Sequence, residues 1–276
     1  MIAETKSDEE NTTPTDCLIA FIDLLGFRSA ISSASVEAQR TILAALKEVA
    51  DQNRNFEINV DAAAGAERVT SIAPAFTSFS DNLLISFDLE KIKSVSLYHG
   101  LMGFRNTACA LAHRAREFGC LVRGAVTLGS LYHKDRVTFG MGLVDAYDLE
   151  SRVAYFPRII VSPKVVQLLP TLMNAEGSTA YDCSMFRDAD AYWCLDYMTA
   201  YLEYLGSEIS VEACTARRAW ALATRAKALE KARYLASVGG HRASQNWAWF
   251  ADRFEKSMLS VSPYRFDVNG QKLEFP

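Results

Sequence analysis

The sequence has no CxxC pair, no clustered histidines and no long apolar run, and it lacks an excess of positive charge. Each absence narrows what the chain can be. Its 29 Lys and Arg against 33 Asp and Glu leave a net charge of -4, so neither nucleic acid nor an anionic membrane is attracted overall. No segment approaches the ~18 to 20 apolar residues of a membrane helix. The segment from Met1 to Asp16 does not read as a signal peptide; with Glu4, Asp8, Glu9 and Glu10 and few apolar residues, it reads as a disordered tail. Six cysteines (Cys17, Cys109, Cys120, Cys183, Cys194, Cys214) are scattered and mostly lie in apolar runs. Reduced, buried thiols in the cytoplasm are the expectation. The four histidines show no zinc spacing; His113 falls in a helical pattern and His133 in a polar loop.

What is present is a chain that is half hydrophobic and 22% charged, enough for a sizeable core. Cys17 to Leu24 reads as a buried strand, and Val36 to Asp51 as an amphipathic helix. Arg68 to Phe79 and Leu83 to Phe87 read as a hairpin turning at Ser80-Asp81-Asn82. Ile92 to Phe118 predicts a long helix capped by Gly119. Leu121 to Leu128 and Val137 to Phe139 follow as strands, then a helix over Leu143 to Ala154 and a strand over Arg158 to Val161. Pro163 opens a short helix. The alternation predicts a sheet with helices on one or both faces, an α/β or α+β sandwich.

Beyond about residue 180 the character changes. Phe186 to Trp193 reads as a last hairpin, and Val211 to Leu235 and Ala243 to Met258 as helices split by Gly239-Gly240. The expected organisation is a tail over 1–16, a core over 17–180 and a mostly helical extension over 181–276 packed on that core. No Pro- or Ser-rich linker separates the last two, and no internal repeat is evident.

The most informative stretch is Phe21-Ile22-Asp23-Leu24-Leu25-Gly26-Phe27. It puts a carboxylate at a strand end and turns through glycine toward a helix. Such an Asp either holds a divalent cation, with the N–H groups of Leu25 to Arg28 toward phosphate oxygens, or caps a turn. Asp81, in Phe79-Ser80-Asp81-Asn82, is either a second ligand or a surface turn aspartate. If hairpin tip and first strand share a sheet, the two carboxylates converge, as two-metal phosphoryl chemistry requires.

These segments carry a resemblance. The FIDLLGF stretch is similar to the FxDxxGF segment of class III nucleotidyl cyclases, and Phe79-Ser80-Asp81 falls where they place a second aspartate. Arg123 to Gly129 (RGAVTLG) resembles their next core strand. Gly142 to Glu150 falls where they carry a VNxAxRxE helix, and Phe156 to Ser162 resembles the strand after it. The resemblance spans about residues 17 to 165. It implies a ferredoxin-like catalytic core and a homodimer with composite active sites. Two Mn²⁺ or Mg²⁺ ions would be held by Asp23, Asp81 and the Leu24 carbonyl. Phe21, Leu25, Gly26, Phe27 and Arg28 would form the nucleotide-binding turn.

The departures are specific. With Ala146 and Glu150 aligned, Val144 and Asp148 stand where Asn and Arg are expected, and Arg28 replaces the Thr or Ser after GF. The FSDN, RGAVTLG and AYDLE segments, with QNWAWFADRF near the end, look instead like the bacterial pyrimidine cyclases of Pycsar anti-phage systems. That branch implies conversion of UTP, or else CTP, to a 3′,5′-cyclic nucleotide and pyrophosphate, the product being read by a separate effector. Replacement positive charge is expected from Arg28 first, then Arg123 and Arg105, each of which is otherwise a structural ion pair. Phe56, Phe76 and Thr77 are candidates for the base pocket. A purine cyclase with rearranged ribose contacts and an inactive nucleotide-binding module are the competing readings.

Three other signals read as structural. Gly140-Met141-Gly142 lacks a dinucleotide-binding context. Trp193, Tyr197, Tyr201 and Tyr204 step along one helical face as packing. Arg217, Arg218, Arg225, Lys227, Lys231 and Arg233 make a basic helix with a solvated face, or one that meets a partner.

Overall fold

The computed structural model describes residues 13–54, 58–60, 70–92, 97–134, 137–176, 185–200 and 211–260. Its centre is strand β1, Thr15–Leu25, in which every residue from Cys17 to Ile22 is buried. Burial on both faces explains why this run is continuously apolar rather than alternating. Helices α1 (Phe27–Ser33) and α2 (Val36–Arg54) follow, then a two-stranded ribbon of β2 (Ile58–Val60) and β3 (Thr70–Ile72). The hairpin is β4 (Ala75–Phe79) and β5 (Asn82–Asp88). After α3 (Leu89–Ile92) come the long α4 (Leu97–Glu117) and β6 (Leu121–Lys134).

Both β5 and β6 pair antiparallel with β1, one on each side, and β4 lies outside β5. Reading β1-α2-β4-β5-α4-β6 along the chain against the spatial order β4-β5-β1-β6 gives the split β-α-β, ferredoxin-like arrangement. The expected α+β core is therefore present. Strands β7 (Val137–Phe139) and β8 (Ile159–Val161) join β6, the first antiparallel and the second parallel. Between them runs α5 (Met141–Arg152), and α6 (Pro163–Glu176) follows β8.

The sheet continues past residue 180. Strands β9 (Met185–Arg187) and β10 (Trp193–Leu195) form the expected hairpin and add to β8. Helices α7 (Val211–Ser237) and α8 (His241–Ser260) then pack as an antiparallel pair. Phe250, Phe254 and Met258 of α8 enter the same buried cluster as Leu111 of α4 and Ile22 of β1. The helical extension is thus continuous with the core.

Alternation along β1 assigns the two faces. Leu18, Ala20, Ile22 and Leu24 face α4, while Cys17, Ile19 and Phe21 face Ala146 of α5. Truncating a side chain such as Ile22 to Ala costs about 2–5 kcal/mol in a site of this kind. On the α5 side, a Cβ built on Gly142 would stand 2.3 Å from Ile19 Cδ1, and one on Gly129 would stand 2.7 Å from the Gly142 Cα. The two glycines let α5 lie directly on β6 and β1. The Gly140-Met141-Gly142 fragment is explained by this approach.

Several expectations shift. The run over Arg68 to Phe79 is two strands, because Pro74 has no N–H to continue a ladder. His133 is in β6, where its ring bonds Thr77 Oγ1 at 2.9 Å and Ser86 Oγ at 2.8 Å. Those two hydroxyls satisfy the polar ring within the sheet, which is why a polar-looking segment is strand. Trp193 lies in β10, so it does not share a helical face with Tyr197; Tyr201 and Tyr204 lie outside the described residues. Cys17, Cys109, Cys120 and Cys194 are free thiols as expected.

Candidate active site

Asp23 is the last inward carboxylate position of β1 on the α5 face. The register puts it opposite Asn82 of β5 on one side and Arg123 of β6 on the other. Its neighbour Asp81 sits in the two-residue turn between Phe79 and Asn82. Ser80 takes a left-handed conformation there, φ 56°, which suits the twist of a tight hairpin. The hairpin tip is pinned to β1: the Leu24 N–H donates to the Asp81 carbonyl at 3.1 Å. Asn82 Nδ2 in turn donates to Asp81 Oδ1 at 3.1 Å and holds that carboxylate. The two aspartates so converge on one end of one sheet.

A third carboxylate joins them. Arg123 donates to Asp23 Oδ2 at 3.1 Å and pairs on its other side with Glu150 of α5. Glu150 is buried, and burial pushes its carboxyl up to about 7, against the pull of Arg123 and with the help of Asp23 and Asp81. The Asp23 carboxyl is likewise raised, first by burial, with Arg123 opposing and Asp81 adding to it. Two carboxylates share one guanidinium, with Asp81 near enough to raise both, so negative charge is in excess in a half-buried place. Oxygen donors with surplus charge fit a hard divalent cation. Among the described residues no group of three or more His, Cys, Asp or Glu is placed to hold a metal ion by itself; with Glu150 turned to Arg123, Asp23 and Asp81 are the two carboxylates that could hold one. That is the sparse protein coordination Mg²⁺ accepts when substrate phosphates supply the rest.

The glycine turn follows directly. Gly26 has φ 93°, a left-handed conformation that a side chain resists, and it reverses the chain into α1. No side chain caps α1 and its first turn holds no acidic residue, leaving first-turn N–H groups open to an anion. Arg28 is exposed on that turn, with no ion partner among the described residues. Phe27 is half-buried and lines a cleft of about 630 Å³ with Ser78 and Ser80 of the hairpin. Leu25 packs partly against the main core.

Two predicted residues stand elsewhere. Phe21 is buried, its ring edge-to-face with Tyr147 at 5.9 Å, so it supports the strand rather than facing a ligand. Arg105 is buried on α4, where its Nε donates to the Asp196 carbonyl at 2.9 Å and ties that helix to the end of β10. Asp196 also accepts from Ser257 Oγ of α8 at 3.1 Å, a structural junction remote from the aspartates. Arg105 is thus an internal tie. Val144 is exposed on α5, and Asp148 pairs with Arg152 at 3.3 Å one turn on. Of the base-pocket candidates, Thr77 lies across from Leu84 on the Asp23 face. Phe76 packs into the α4-side core, and Phe56 lies outside the described residues.

Glu150 is the site residue that the sequence reading used only to align a helix. The available signal was its spacing from Ala146: a carboxylate on the buried face of α5 needs a partner, and Arg123 is that partner.

No protein-family model and no curated protein matches the chain. Among solved structures, it is similar to the monomeric guanylyl cyclase domain of the RhoGC fusion protein from the aquatic fungus Blastocladiella emersonii. The identity is 14%, over 66% of this chain and 96% of that one, with a TM-score of 0.40. It is also similar to a bacterial light-regulated adenylyl cyclase, at 11% identity over 55% of this chain and 44% of that one, TM-score 0.35. The guanylyl cyclase Cya2 matches at 12% identity over 65% of this chain and 91% of that one, TM-score 0.33.

Proposed function

We propose that the chain is a metal-dependent nucleotidyl cyclase that converts a pyrimidine nucleoside triphosphate, UTP ahead of CTP, to its 3′,5′-cyclic monophosphate and pyrophosphate. The observation that carries the reading is the convergence of Asp23 and Asp81, fixed by strand register and by the Leu24–Asp81 backbone bond, beside the uncapped turn at Gly26. Asp23 and Asp81 would hold two Mn²⁺ or Mg²⁺ ions. Bound there, such ions acidify the 3′-hydroxyl and neutralise triphosphate charge.

The chain's own residues then have separable roles. Asn82 orients Asp81. Arg123 balances Asp23 until a cation does so, and Glu150 holds the guanidinium from behind. The first-turn N–H groups of α1 and the Arg28 fork receive phosphate oxygens; a planar fork suits phosphate better than an ammonium. Arg28 replaces the positive charge that Asp148 does not provide.

The face that carries the site is also the face offered to a second copy. Met141, Val144 and Tyr147 of α5 and Phe139 of β7 are all exposed apolar side chains. Exposed apolar side chains gathered on one short stretch of chain mark an interface. We take it as the surface of a homodimer with composite active sites. On the strength of the FSDN, RGAVTLG and AYDLE segments, we take the product to be a messenger in anti-phage defence, read by a separate effector.

The test is to incubate purified protein with each of the four nucleoside triphosphates and Mn²⁺. Cyclic UMP or cyclic CMP supports the proposal. Cyclic AMP or cyclic GMP as the main product points to the purine reading. Nucleotide binding without pyrophosphate release points to an inactive module.

A further inference from the structure

The basic helix has a specific place in the fold. On α7, Trp220, Thr224, Lys227 and Lys231 step by four, three and four, so they share one helical face. That face closes a hollow of about 460 Å³ against the last turns of α4 and the middle of α8. Its volume falls within the ~300–1,000 Å³ of small-molecule sites. α4 contributes Arg116, and α8 contributes Trp247 and Phe250.

The chemistry of the walls is uneven. The Arg116 guanidinium lies over the rings, 5.6 Å from the Trp220 centroid and 5.8 Å from that of Phe250. Arg225, on the same helix, is spent on Glu255 of α8 at 2.9 Å. Lys227 and Lys231 are exposed, and neither meets a carboxylate among the described residues. Against Arg116, Lys227 and Lys231 the hollow holds one acid, Glu117. An acidic protein therefore carries a locally cationic hollow with two indole walls.

We propose that this hollow is a second ligand site, built for a phosphorylated aromatic small molecule of the nucleotide class. The ammonium groups of Lys227 and Lys231 suit phosphate oxygens as charge-assisted donors. The Trp247 ring suits a base, since stacking on an aromatic wall tolerates any base, and the Arg116 guanidinium over Trp220 offers a second planar surface. The site is separate from Asp23 and Asp81 and does not depend on what they do.

Its position also bears on them. An adjoining cleft of about 190 Å³ shares Gly119, Lys231 and Trp247 with the hollow and reaches Gly26 and Ser29. Gly26 packs on Gly119, where an added Cβ would stand 3.5 Å from the Gly119 carbonyl. A ligand in the hollow would touch Gly119, and through it is one residue removed from the Gly26 turn that follows Asp23.

The experiment separates this site from the aspartate site. The full chain carrying Asp23→Asn and Asp81→Asn is dialysed against radiolabelled UTP, ATP or pyrophosphate in EDTA, with indole emission followed in parallel. Saturable nucleotide binding with quenching is expected, weaker for pyrophosphate, which has no ring to stack. Adding Lys227→Glu and Lys231→Glu, both on exposed positions, should weaken nucleotide binding about tenfold or more. Absence of saturable binding, indifference to the lysine reversals, or pyrophosphate binding as tightly as nucleotide would each overturn the proposal. None of these results depends on whether the wild-type chain cyclises anything.

Discussion

Arg123 on β6 lies opposite Asp23 on β1 and donates to its Oδ2 at 3.1 Å, so the position offered to a cation is neutralised by a guanidinium. The bond answers a charge problem. Asp23, Asp81 and Glu150 crowd one end of the sheet, and a single arginine cannot balance all three. A divalent cation, if bound as proposed, would compete with Arg123 for Asp23 and relieve the remaining excess.

Metal binding is therefore expected to stabilise the fold. Mn²⁺ at a hundredfold excess over its dissociation constant should add about 2.7 kcal/mol and raise the melting temperature by several degrees. Asp23→Asn should remove that response and lower turnover at least about a hundredfold. The variant's metal-free melting temperature should not fall, because burial makes the ionised Asp23 carboxylate costly in the fold. Thermal melts with and without Mn²⁺ measure both effects.

Glu150 predicts a pH dependence in EDTA. Its carboxyl titrates at about 7 in the fold against 4.5 when unfolded, so the folded state holds the extra proton between those values. Folding stability should fall as pH rises from about 4.5 to about 7 and then level off. The loss is on the order of 3 kcal/mol, a net figure in which the opposing pull of Arg123 is already included. Glu150→Gln should flatten that segment of the curve. Urea melts across the range read it, and an unchanged slope in the variant would remove Glu150 as its origin.

Arg28 is exposed and unpaired among the described residues, so its loss should leave stability within about 0.5 kcal/mol. Arg28→Ala should nevertheless lower kcat/KM for the triphosphate about tenfold or more, with Arg28→Lys between the two, because an ammonium offers no fork. Steady-state kinetics on the three proteins decides it.

The exposed α5 face gives a hydrodynamic prediction. Tyr147→Glu together with Met141→Glu should convert a dimer to a monomer and abolish composite-site activity, while circular dichroism stays native. Light scattering at several concentrations distinguishes the states. A wild-type monomer at high concentration would contradict the composite site.

How far the sequence carries this account depends on the kind of residue. β1, the hairpin turn and the helices were legible because burial on both faces, turn chemistry and 3.6-residue periodicity leave local marks. The meeting of Asp23 and Asp81 was legible only as a condition, since strand adjacency is a non-local fact. Glu150 and the tie of Arg105 to Asp196 were not legible: each depends on which face of a helix meets which strand end. His133 misled because a polar ring can be satisfied at a sheet by two hydroxyls, here from β4 and β5 beyond the adjacent strand. The Lys227 and Lys231 face, with Trp220 on the same helix, was visible as a basic run, but Trp247 and Arg116, which close the hollow against it, come from other helices.

The central claim is that Asp23 and Asp81 form a cyclising site for a pyrimidine triphosphate. It is tested most directly by identifying the product from UTP, CTP, ATP and GTP, each incubated with Mn²⁺ and purified, folded wild type alongside Asp81→Asn. The account predicts 3′,5′-cyclic UMP with equimolar pyrophosphate from the wild type and none from the variant. No cyclic pyrimidine nucleotide from the wild type, or equal product from the variant, would contradict it.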